Sequence, residues 1–344
     1  MYLKHCLNEK VVILKPDGIG DYVLFRTFFK NIEEKNTSYL FVGSRVVCDL
    51  SRKADANFFC YWLSIRPVLV FSSKFYRFYL KYLFKLLRVR KIIYAVNSRD
   101  SRMEDFLEYA NIQAVGFRGD LVNSPLDQAS GQAYKISGSV VTSGHEIYRY
   151  KQLVETLFEV KINNVILSPL LLKPKQMNRV VVSPYAKDPE REWNLKNYFE
   201  LIRMILGHYQ ELEVVLIGDR SDDLFNRLDL GSSKMFQDFR GKGVFESASI
   251  VASARYFIGP DSGMLHIAAA QGCDILCLSN ANHLFRFIPY PAAFANIKYV
   301  LPKANLFQQN LKASELEEIF STGSALDINT IGVNCAFNAF KEII

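Results

Sequence analysis

Three short segments of the chain carry charged or hydroxyl side chains, two of them together with glycines, and each is joined to an apolar run typical of a β-strand. They read "KPDGIGD", "SPYAKDPEREW" and "FIGPDSGMLHIAAAQG". A carboxylate can accept a proton, whereas cations and the free N–H groups at a helix start bind anions. The three segments therefore predict a site that moves a proton and binds a negatively charged group.

The first segment lies between a predicted strand at Val11–Leu14 and a helix predicted from Tyr22. Gly18 and Gly20 let the backbone approach a ligand closely, and open α/β sheets bind ligands at the carboxyl ends of their strands. The carboxylate of Asp21 would repel phosphate, so Asp21 either caps its helix or acts chemically on a group other than phosphate. The two roles can coexist.

The second and third segments offer anion-binding groups. Lys187 and Arg191 follow the predicted strand "RVVVSPY", and a helix is expected to begin near Ser262. Ser262 and Gly263 can present backbone N–H groups to a phosphate, because the first turn of a helix leaves these donors unpaired. Taken alone, Lys187 and Arg191 are typical surface charges; their place between a strand end and a tryptophan favours a binding role.

The elements that must position these residues are those of an α/β protein with two domains. A chain of 344 residues is too long for one compact core. Apolar runs in the first half predict strands at Val11–Leu14, Tyr39–Val42, Val68–Phe71, Ile92–Val96 and Ala114–Gly116. A polar stretch at Asn123–Gly144 predicts a long loop, and a helix is expected near Ile147–Phe158.

From Arg179 onward, strands and helices alternate regularly, which implies parallel βαβ units. We expect two Rossmann-like domains, at residues 1–167 and 178–344, joined by a linker at 168–177. Their parallel sheets are expected to face a central cleft that holds the ligand.

Composition excludes several classes of protein. The six cysteines form no CxxC pair and have no histidine cluster beside them, which argues against zinc and against a disulfide framework. The N-terminus lacks an apolar signal core, and no uncharged apolar run reaches the ~18 residues needed to cross a bilayer. We therefore expect a cytoplasmic protein.

The net charge of +7 is concentrated in one segment, since Ala56–Arg99 contains nine Lys or Arg residues and no acid. Its centre, "SSKFYRFYLKYLFKLLRVRK", predicts a helix over 74–91 with a basic stripe. The stripe consists of Lys74, Arg77, Lys81, Lys85 and Arg88, and the other flank carries Phe75, Phe78, Tyr82 and Leu86. Such a helix suits an anionic membrane surface or a lipid headgroup. The alternative is that its aromatic side packs into the core and its cations are solvated.

In this order and at these separations, the three segments resemble glycosyltransferase family 9, the lipopolysaccharide heptosyltransferases of the GT-B fold. "VVILKPDGIGDYVLFRTF" resembles the family's opening strand and turn, and "DFRGKGVFESASIVASARYFIGPDSGMLHIAAAQG" resembles its nucleotide-sugar half. The resemblance implies an N-terminal acceptor-binding domain and a C-terminal nucleotide-sugar-binding domain. The last helix is expected either to stay with the C-terminal domain or to pack back on the N-terminal one.

The resemblance also implies roles for individual residues. Asp21 matches the general base that deprotonates the acceptor hydroxyl. Arg191 stands where the family usually has a lysine that contacts the donor diphosphate, and arginine keeps the charge and can bind phosphate in a bidentate manner. The donor-binding positions are Lys187, Asp261, Ser262, Gly263 and His266. The turn positions are Gly18 and Gly20, whereas Lys81 and Lys85 are acceptor candidates because of the basic stripe and not because of the resemblance.

Asp261 is expected to hold hydroxyl groups of the donor sugar, whereas His266 is expected to be structural or to support its neighbours. After "CDILCLS" the family commonly has a Gly-Pro-Thr turn, but this chain has "NANHLFRFIPYP", so the identity of the donor sugar stays open.

The implied reaction is an inverting, metal-independent transfer of a heptose-like sugar to a hydroxyl of a lipid-linked saccharide. ADP-heptose is the expected donor. No cofactor, metal or nucleic acid is expected to bind. We expect the protein to make peripheral contact with the inner face of the plasma membrane. One alternative is a transferase of the same fold that uses a different nucleotide sugar. Another is a non-catalytic module that binds membranes or anions. A dinucleotide-dependent oxidoreductase is disfavoured, because the turn lacks the third glycine of GxGxxG.

Overall fold

The computed structural model describes residues 10–32, 37–118, 133–138, 144–172, 177–219, 235–303, 312–320 and 323–344. The chain forms two compact units, one of Met1–Thr142 with Ile147–Val165 and one of Ser143–Glu146 with Ile166–Ile344. Each unit contains its own parallel β-sheet. Among the helices in these ranges, none is long and apolar enough to cross a membrane.

The first unit alternates strands and helices along the chain. Its described elements are β1 (Lys10–Lys15), α1 (Ile19–Arg26), α2 (Phe29–Ile32), β2 (Ser38–Gly43), α3 (Arg45–Ala54), β3 (Phe59–Ser64), α4 (Pro67–Ser72), α5 (Lys74–Leu86), β4 (Val89–Tyr94), α6 (Ser101–Ala110), β5 (Gln113–Phe117), β6 (Tyr134–Ser137) and α7 (Glu146–Leu157). The strand order is β3-β2-β1-β4-β5-β6, and all pairs are parallel.

β1 is a continuous aliphatic run that is buried on both faces, as expected for a central strand of a parallel sheet. Leu14 pairs with Val42 of β2 on one side and with Tyr94 of β4 on the other. The strand order reverses between β1 and β4, which makes the carboxyl end of β1 a topological switch point. The segment "KPDGIGD" therefore leaves the sheet where such folds bind ligands.

The second unit repeats this plan. Its described elements are β7 (Met177–Val182), a 3₁₀ turn (Pro189–Arg191), α8 (Leu195–His208), β8 (Glu213–Leu216), β9 (Phe236–Asp238), α9 (Val244–Ser253), β10 (Ala254–Pro260), α10 (Gly263–Gln271), β11 (Asp274–Leu278), β12 (Ile297–Val300), α11 (Ala313–Phe320), a 3₁₀ turn (Ile328–Thr330) and α12 (Val333–Lys341). The strand order is β12-β11-β10-β7-β8-β9, again all parallel.

In this second sheet the order reverses between β7 and β10, so the segments that follow these two strands share a switch point. Gly259 permits the close approach of the two strands, because a Cβ at this position would lie 2.7 Å from the backbone oxygen of Ser183. The last helix, α12, packs with α8 into the core of its own unit through Ala336, Phe337 and Phe340.

The structure confirms the predicted α/β class with parallel sheets and corrects several elements. Val68–Phe71, predicted as a strand, lies in helix α4, because a four-residue apolar run does not distinguish a strand from a short helix and Pro67 favours a helix start. The helix predicted over 74–91 ends at Leu86; Arg88 is left-handed with φ 56°, and Lys91 belongs to β4. Strand β3 was not predicted.

The helix predicted from Tyr22 begins earlier, at Ile19, and breaks after Arg26. The predicted loop at Asn123–Gly144 contains an edge strand, β6, which is short and polar enough to escape the hydrophobic pattern. Most of that loop lies outside the described residues, as do Cys6, the predicted helix end at residues 33–35 and residues 173–176 of the predicted linker.

Candidate active site

Asp21 lies in the first turn of α1 at the carboxyl edge of the first sheet. Gly18 is the N-cap residue, and its backbone N–H donates to Oδ2 of Asp21 over 3.3 Å. This contact is half of a capping box. Ile19, Gly20 and Asp21 are half-buried and Gly18 is exposed, so one carboxylate stabilises the helix start and is also accessible.

Three further side chains surround Asp21 at the end of β1. Lys15 is fully buried, and its Nζ donates to Oδ2 of Asp17 at 2.8 Å, to the hydroxyl of Tyr150 at 2.8 Å and to the backbone oxygen of Ala95 at 3.0 Å. The hydroxyl of Tyr150 lies 3.0 Å from Oδ1 of Asp21 and 3.2 Å from Oδ2 of Asp17. The cluster therefore contains one buried cation, Lys15, and two carboxylates, Asp17 and Asp21.

Helix α1 is fixed by a buried ion pair one turn beyond Asp21. Arg26 donates through Nη2 to Oδ1 of Asp55 at 2.8 Å and through Nε to Oδ2 at 3.1 Å, and the hydroxyl of Tyr22 donates to the same carboxylate. A bidentate pair constrains orientation as well as distance. The position of Asp21 is thus defined by both ends of its helix.

Arg191, in the 3₁₀ turn after β7, is held against the end of β10. Its Nη1 donates to the backbone oxygen of Asp261 at 3.1 Å, and its Nη2 donates to Oδ2 of Asp188 at 2.8 Å. Its Nε is buried and has no hydrogen-bond partner among the described residues. The guanidinium is therefore held in place with its buried Nε donor unused.

Ser262 occupies the N-cap position of α10, and its side chain accepts no capping hydrogen bond. Its Oγ is buried and, within the described ranges, makes no hydrogen bond. The helix has no acid in its first turn, although the carboxylate of Asp261 directly precedes its N-cap residue. The hydroxyl and the N–H groups at this helix start, including that of Gly263, form an arrangement suited to an anion.

The buried side chains of Asp261 and His266 lie behind this helix start. Nε2 of His266 is 3.9 Å from Oδ1 of Asp261, and its Nδ1 shares a 2.5 Å hydrogen bond with the hydroxyl of Tyr290. Burial lowers the pKa of His266 to about 3, with smaller contributions from the positive charges of His145 and Arg191. His266 is therefore neutral near pH 7, and its contacts fit the structural role expected of it.

Lys187 is exposed on the segment between β7 and the 3₁₀ turn.

The loop "NANHLFRFIPYP" is held by polar contacts that its sequence did not predict. Asn280 is buried and donates to the backbone oxygen of Glu190 at 3.1 Å. Arg286 pairs with the buried carboxylate of Glu146 at 2.9 Å. Of these loop residues, Asn280 thus contacts the turn that carries Arg191.

Lys81 and Lys85 lie on α5, which packs against α4, α6 and β4. Lys81 donates to the backbone oxygen of Tyr109 at 2.7 Å, whereas Lys85 is exposed. Lys85 is in the last turn of α5, just before β4 begins, and therefore lies towards the amino edge of the sheet. Asp21 follows β1 at the opposite, carboxyl edge.

The structure thus brings Arg191, Asp261, Ser262, Gly263 and His266 together at one switch point, and Gly18, Gly20 and Asp21 at the other. Two groups of residues were missed by the sequence analysis. Asp17, Lys15 and Tyr150 surround Asp21; the only signal for them was a lysine that ends an apolar strand. Arg240, within the quoted "DFRGKG", is buried and bonds both the carboxylate of Asp238 and the hydroxyl of Tyr185.

Comparisons with known proteins agree with this arrangement. The family model of glycosyltransferase family 9 (heptosyltransferase) matches residues 155–305, a stretch that contains both segments of the second switch point. The match confirms the resemblance predicted from the sequence and identifies the class of protein, a glycosyltransferase. A comparison with curated protein sequences gives no match.

Several solved structures share the fold. The E. coli heptosyltransferase WaaC with ADP-2-deoxy-2-fluoro heptose has a TM-score of 0.72 at 12% identity and covers 97% of this chain and 99% of its own. E. coli ADP-heptose lps heptosyltransferase II has a TM-score of 0.68 at 13% identity, covering 97% and 98%. A glycosyl transferase family 9 protein from Veillonella parvula has a TM-score of 0.69 at 12% identity, covering 97% of each chain. The predicted GT-B fold is therefore confirmed.

Proposed function

We propose that the protein is an inverting, metal-independent glycosyltransferase that moves a heptose-like sugar from a nucleotide diphosphate donor to a lipid-linked saccharide. The acceptor belongs to lipopolysaccharide or a related glycan. ADP-heptose is the proposed donor, because the similar E. coli structures are named for ADP, for ADP-heptose and for a fluorinated ADP-heptose analogue.

The observation that carries the proposal is the pair of unused donors at the second switch point. Nε of Arg191 and Oγ of Ser262 are both buried and lack a partner in the described part of the chain. A buried donor without a partner costs about 1–3 kcal/mol, so such groups are expected at a site where a ligand completes the hydrogen bonds. A diphosphate offers the acceptor oxygens and the negative charge that a guanidinium and a helix start bind.

The proposed reaction assigns separate tasks to the two units. Asp21 accepts the proton of the acceptor hydroxyl while that oxygen attacks the anomeric carbon and the bond to the diphosphate breaks. Arg191, Lys187 and the N–H groups of Ser262 and Gly263 stabilise the negative charge that develops on the leaving diphosphate. These fixed charges and dipoles take the part that a divalent cation plays elsewhere, which is why the proposed mechanism needs no metal.

The identity of the donor sugar is the part of the proposal for which an alternative function comes nearest. Asp261 is proposed to hold hydroxyl groups of the donor sugar, and the loop "NANHLFRFIPYP" is anchored beside it through Asn280 and Glu190. A transferase of the same fold with another nucleotide sugar would use the same diphosphate groups and a different loop surface. A panel of donors therefore separates the two proposals.

The test is thermal stabilisation by ADP-heptose and by sugars carried on UDP, GDP and CMP. A donor at 100 times its Kd stabilises the folded protein by about 2.7 kcal/mol, and we expect ADP-heptose to give the largest shift. Arg191→Ala should lose most of that shift and Arg191→Lys should keep part of it, because lysine retains the charge without the bidentate geometry.

Arg203→Ala is the matched control, since Arg203 is an exposed arginine on α8. Equal shifts for all donors, or an undiminished shift in Arg191→Ala, would contradict the proposed donor site. Stabilisation by a different nucleotide sugar alone would favour the rival transferase.

We also propose that the protein acts at the cytoplasmic face of the plasma membrane, with α5 as its contact. The flank predicted to be apolar is exposed: Phe75 is 89% accessible, Phe78 62%, Tyr82 61% and Leu86 68%. Lys74 and Lys85 are exposed at the edge of the same face. Basic and aromatic side chains on one exposed face suit the boundary between anionic headgroups and hydrocarbon.

A further inference from the structure

The cluster around Tyr150 joins two carboxylates through one hydroxyl group. Oη of Tyr150 lies 3.0 Å from Oδ1 of Asp21 and 3.2 Å from Oδ2 of Asp17, both within hydrogen-bond reach. Tyr150 is fully buried, and its ring packs against Phe25 with the centroids 5.9 Å apart. Its hydroxyl is therefore held between the two acids.

When both acids are ionised, Lys15 and Tyr150 have one proton fewer than the number of hydrogen-bond contacts they make in this cluster. A tyrosine hydroxyl has a single proton to donate, so it can donate to Asp17 or to Asp21 but not to both. Lys15 donates to the Tyr150 oxygen and to Asp17, and reaches neither the other oxygen of Asp17 nor Asp21 through any described hydrogen bond. Oδ1 of Asp17 is buried without a partner in the described structure.

One added proton gives both contacts between Tyr150 and the two acids a donor, while Oδ1 of Asp17 stays without a described partner. If Asp17 is protonated, its O–H donates to the Tyr150 oxygen, and the Tyr150 O–H is free to donate to Asp21. Burial raises the pKa of Asp17 to about 7; the positive charge and hydrogen bond of Lys15 and the hydroxyl of Tyr150 oppose the rise, and the charge of Asp21 adds to it. Burial raises the pKa of Tyr94, and the nearby charge of Asp17 adds to this rise.

We propose that Asp17, Tyr150 and Asp21 form a proton relay in which Asp17 stores the proton that Asp21 removes from the acceptor. This inference rests on the proposed function and deepens it. As the acceptor oxygen forms its bond to the anomeric carbon, its proton passes to Asp21. The proton of Asp21 then passes to the Tyr150 oxygen while the Tyr150 proton passes to Oδ2 of Asp17.

The relay returns Asp21 to its ionised state before the product leaves. The stored proton reaches water from Asp17, whose side chain is 24% exposed. Because burial outweighs the charge of Lys15 and leaves the pKa of Asp17 at about 7, this carboxylate is mostly ionised at pH 8 before the reaction and can still accept the proton afterwards. A carboxylate that titrates near the working pH can both accept the proton and release it to water at a low cost in free energy.

The first arm of the test needs no substrate. In the whole protein labelled with carboxyl-¹³C aspartate, the Asp17 resonance should titrate near pH 7, and Asp21→Asn should lower its midpoint because a neighbouring negative charge is lost. An Asp17 carboxyl that titrates near the usual value of about 4 would overturn the relay. This arm gives its answer whatever reaction the protein catalyses.

The second arm is the pH profile of kcat for sugar transfer. The parent should show a rising limb near pH 7, where Asp17 ionises. Asp17→Asn and Tyr150→Phe should each lower kcat at pH 8 by roughly tenfold or more, remove that limb and leave the donor KM unchanged. The double variant should be no slower than either single variant, since the residues act as one unit. Asp17→Glu should restore part of the limb.

Tyr94→Phe is the matched control, because Tyr94 is a buried tyrosine beside Asp17 that takes no part in the relay. It should keep the parent profile. Asp17→Asn with an unchanged profile would overturn the relay even if Asp17 titrates near pH 7. A parent protein that transfers no sugar while Asp17 titrates near pH 7 would refute the proposed reaction, and the relay as a catalytic device with it.

Discussion

The candidate catalytic groups are each fixed by more than one contact, and each still has a polar atom or an accessible surface available to a ligand. Arg191 is tied to Asp188 and to the backbone of Asp261, with Nε left over. Asp21 is tied to the backbone of Gly18 and to Tyr150, yet it is only half-buried. Preorganised groups of this kind cost little reorganisation when charge develops in a transition state.

His266 provides a residue-scale prediction about acid stability. Its pKa is about 3 in the folded protein and close to 6.5 when unfolded. Between these pH values the unfolded state therefore binds a proton that the folded state does not bind. Stability must therefore fall as the pH drops from 6.5 towards 3. Replacing the histidine removes this contribution.

The measurement is the free energy of unfolding from urea titrations at pH 7 and pH 5. His266→Gln should lose about 2 kcal/mol less than the parent over this interval. His208→Gln, at an exposed position of α8, controls for the loss of a histidine as such. Parallel losses in the parent and in His266→Gln would show that the buried histidine is not responsible.

Residues whose type and position are unusual could be predicted from the sequence, whereas residues that act only through a distant partner could not. Asp21, Arg191 and Ser262 follow strand ends within glycine or proline turns, where local rules are informative. Tyr150 lies 135 residues from Lys15, and no local pattern links a tyrosine on an amphipathic helix to a distant carboxylate. Its role depends on a tertiary contact and is visible only in the structure.

At the scale of elements, α5 presents one buried face and one exposed face. Leu80 and Phe84 are buried in the core of the first unit, whereas Phe75, Phe78 and Tyr82 are exposed. The sequence predicted the basic and aromatic character of the helix, but not that Arg77 and Lys81 would turn towards the ring of Tyr109. The exposed basic edge therefore consists of Lys74 and Lys85 rather than the whole predicted stripe.

The proposed membrane contact predicts that the protein co-sediments with vesicles containing phosphatidylglycerol and that salt weakens this binding. Each basic residue near an anionic surface contributes about 1 kcal/mol, so Lys74→Glu with Lys85→Glu should weaken binding by roughly 30-fold or more. Phe75→Ser with Phe78→Ser should weaken it at every salt concentration, because the apolar anchors are lost.

Leu172→Ser is the matched control for the aromatic variants, since Leu172 is 98% exposed in the second unit. It should bind like the parent. Binding that is equally strong with neutral phosphatidylcholine vesicles, or that survives both sets of substitutions, would rule out α5 as the contact.

At the scale of the whole molecule, the chain repeats one plan twice. Each unit has a six-stranded parallel sheet, counted over the described residues, whose order reverses between its first and fourth strands. The alternation of strands and helices predicted this class, because parallel strands need crossover helices and both elements leave a strong hydrophobic pattern. The edge strand β6 escaped prediction because its four residues carry little hydrophobic pattern, whereas β3, "FCYWLS", has the aromatic residues typical of a strand and could have been predicted.

The central claim is that Asp21 takes the proton while a diphosphate leaves from a sugar. The most direct measurement incubates the protein with ADP-heptose and a lipid-linked acceptor that lacks heptose, and follows acceptor mass, released ADP and the anomeric configuration of the product. We predict one heptose added for each ADP released, with inversion at the anomeric carbon. Asp21→Asn should bind the donor normally and transfer roughly 100- to 10,000-fold more slowly. An unchanged acceptor mass, or an Asp21→Asn variant as fast as the parent, would contradict this account.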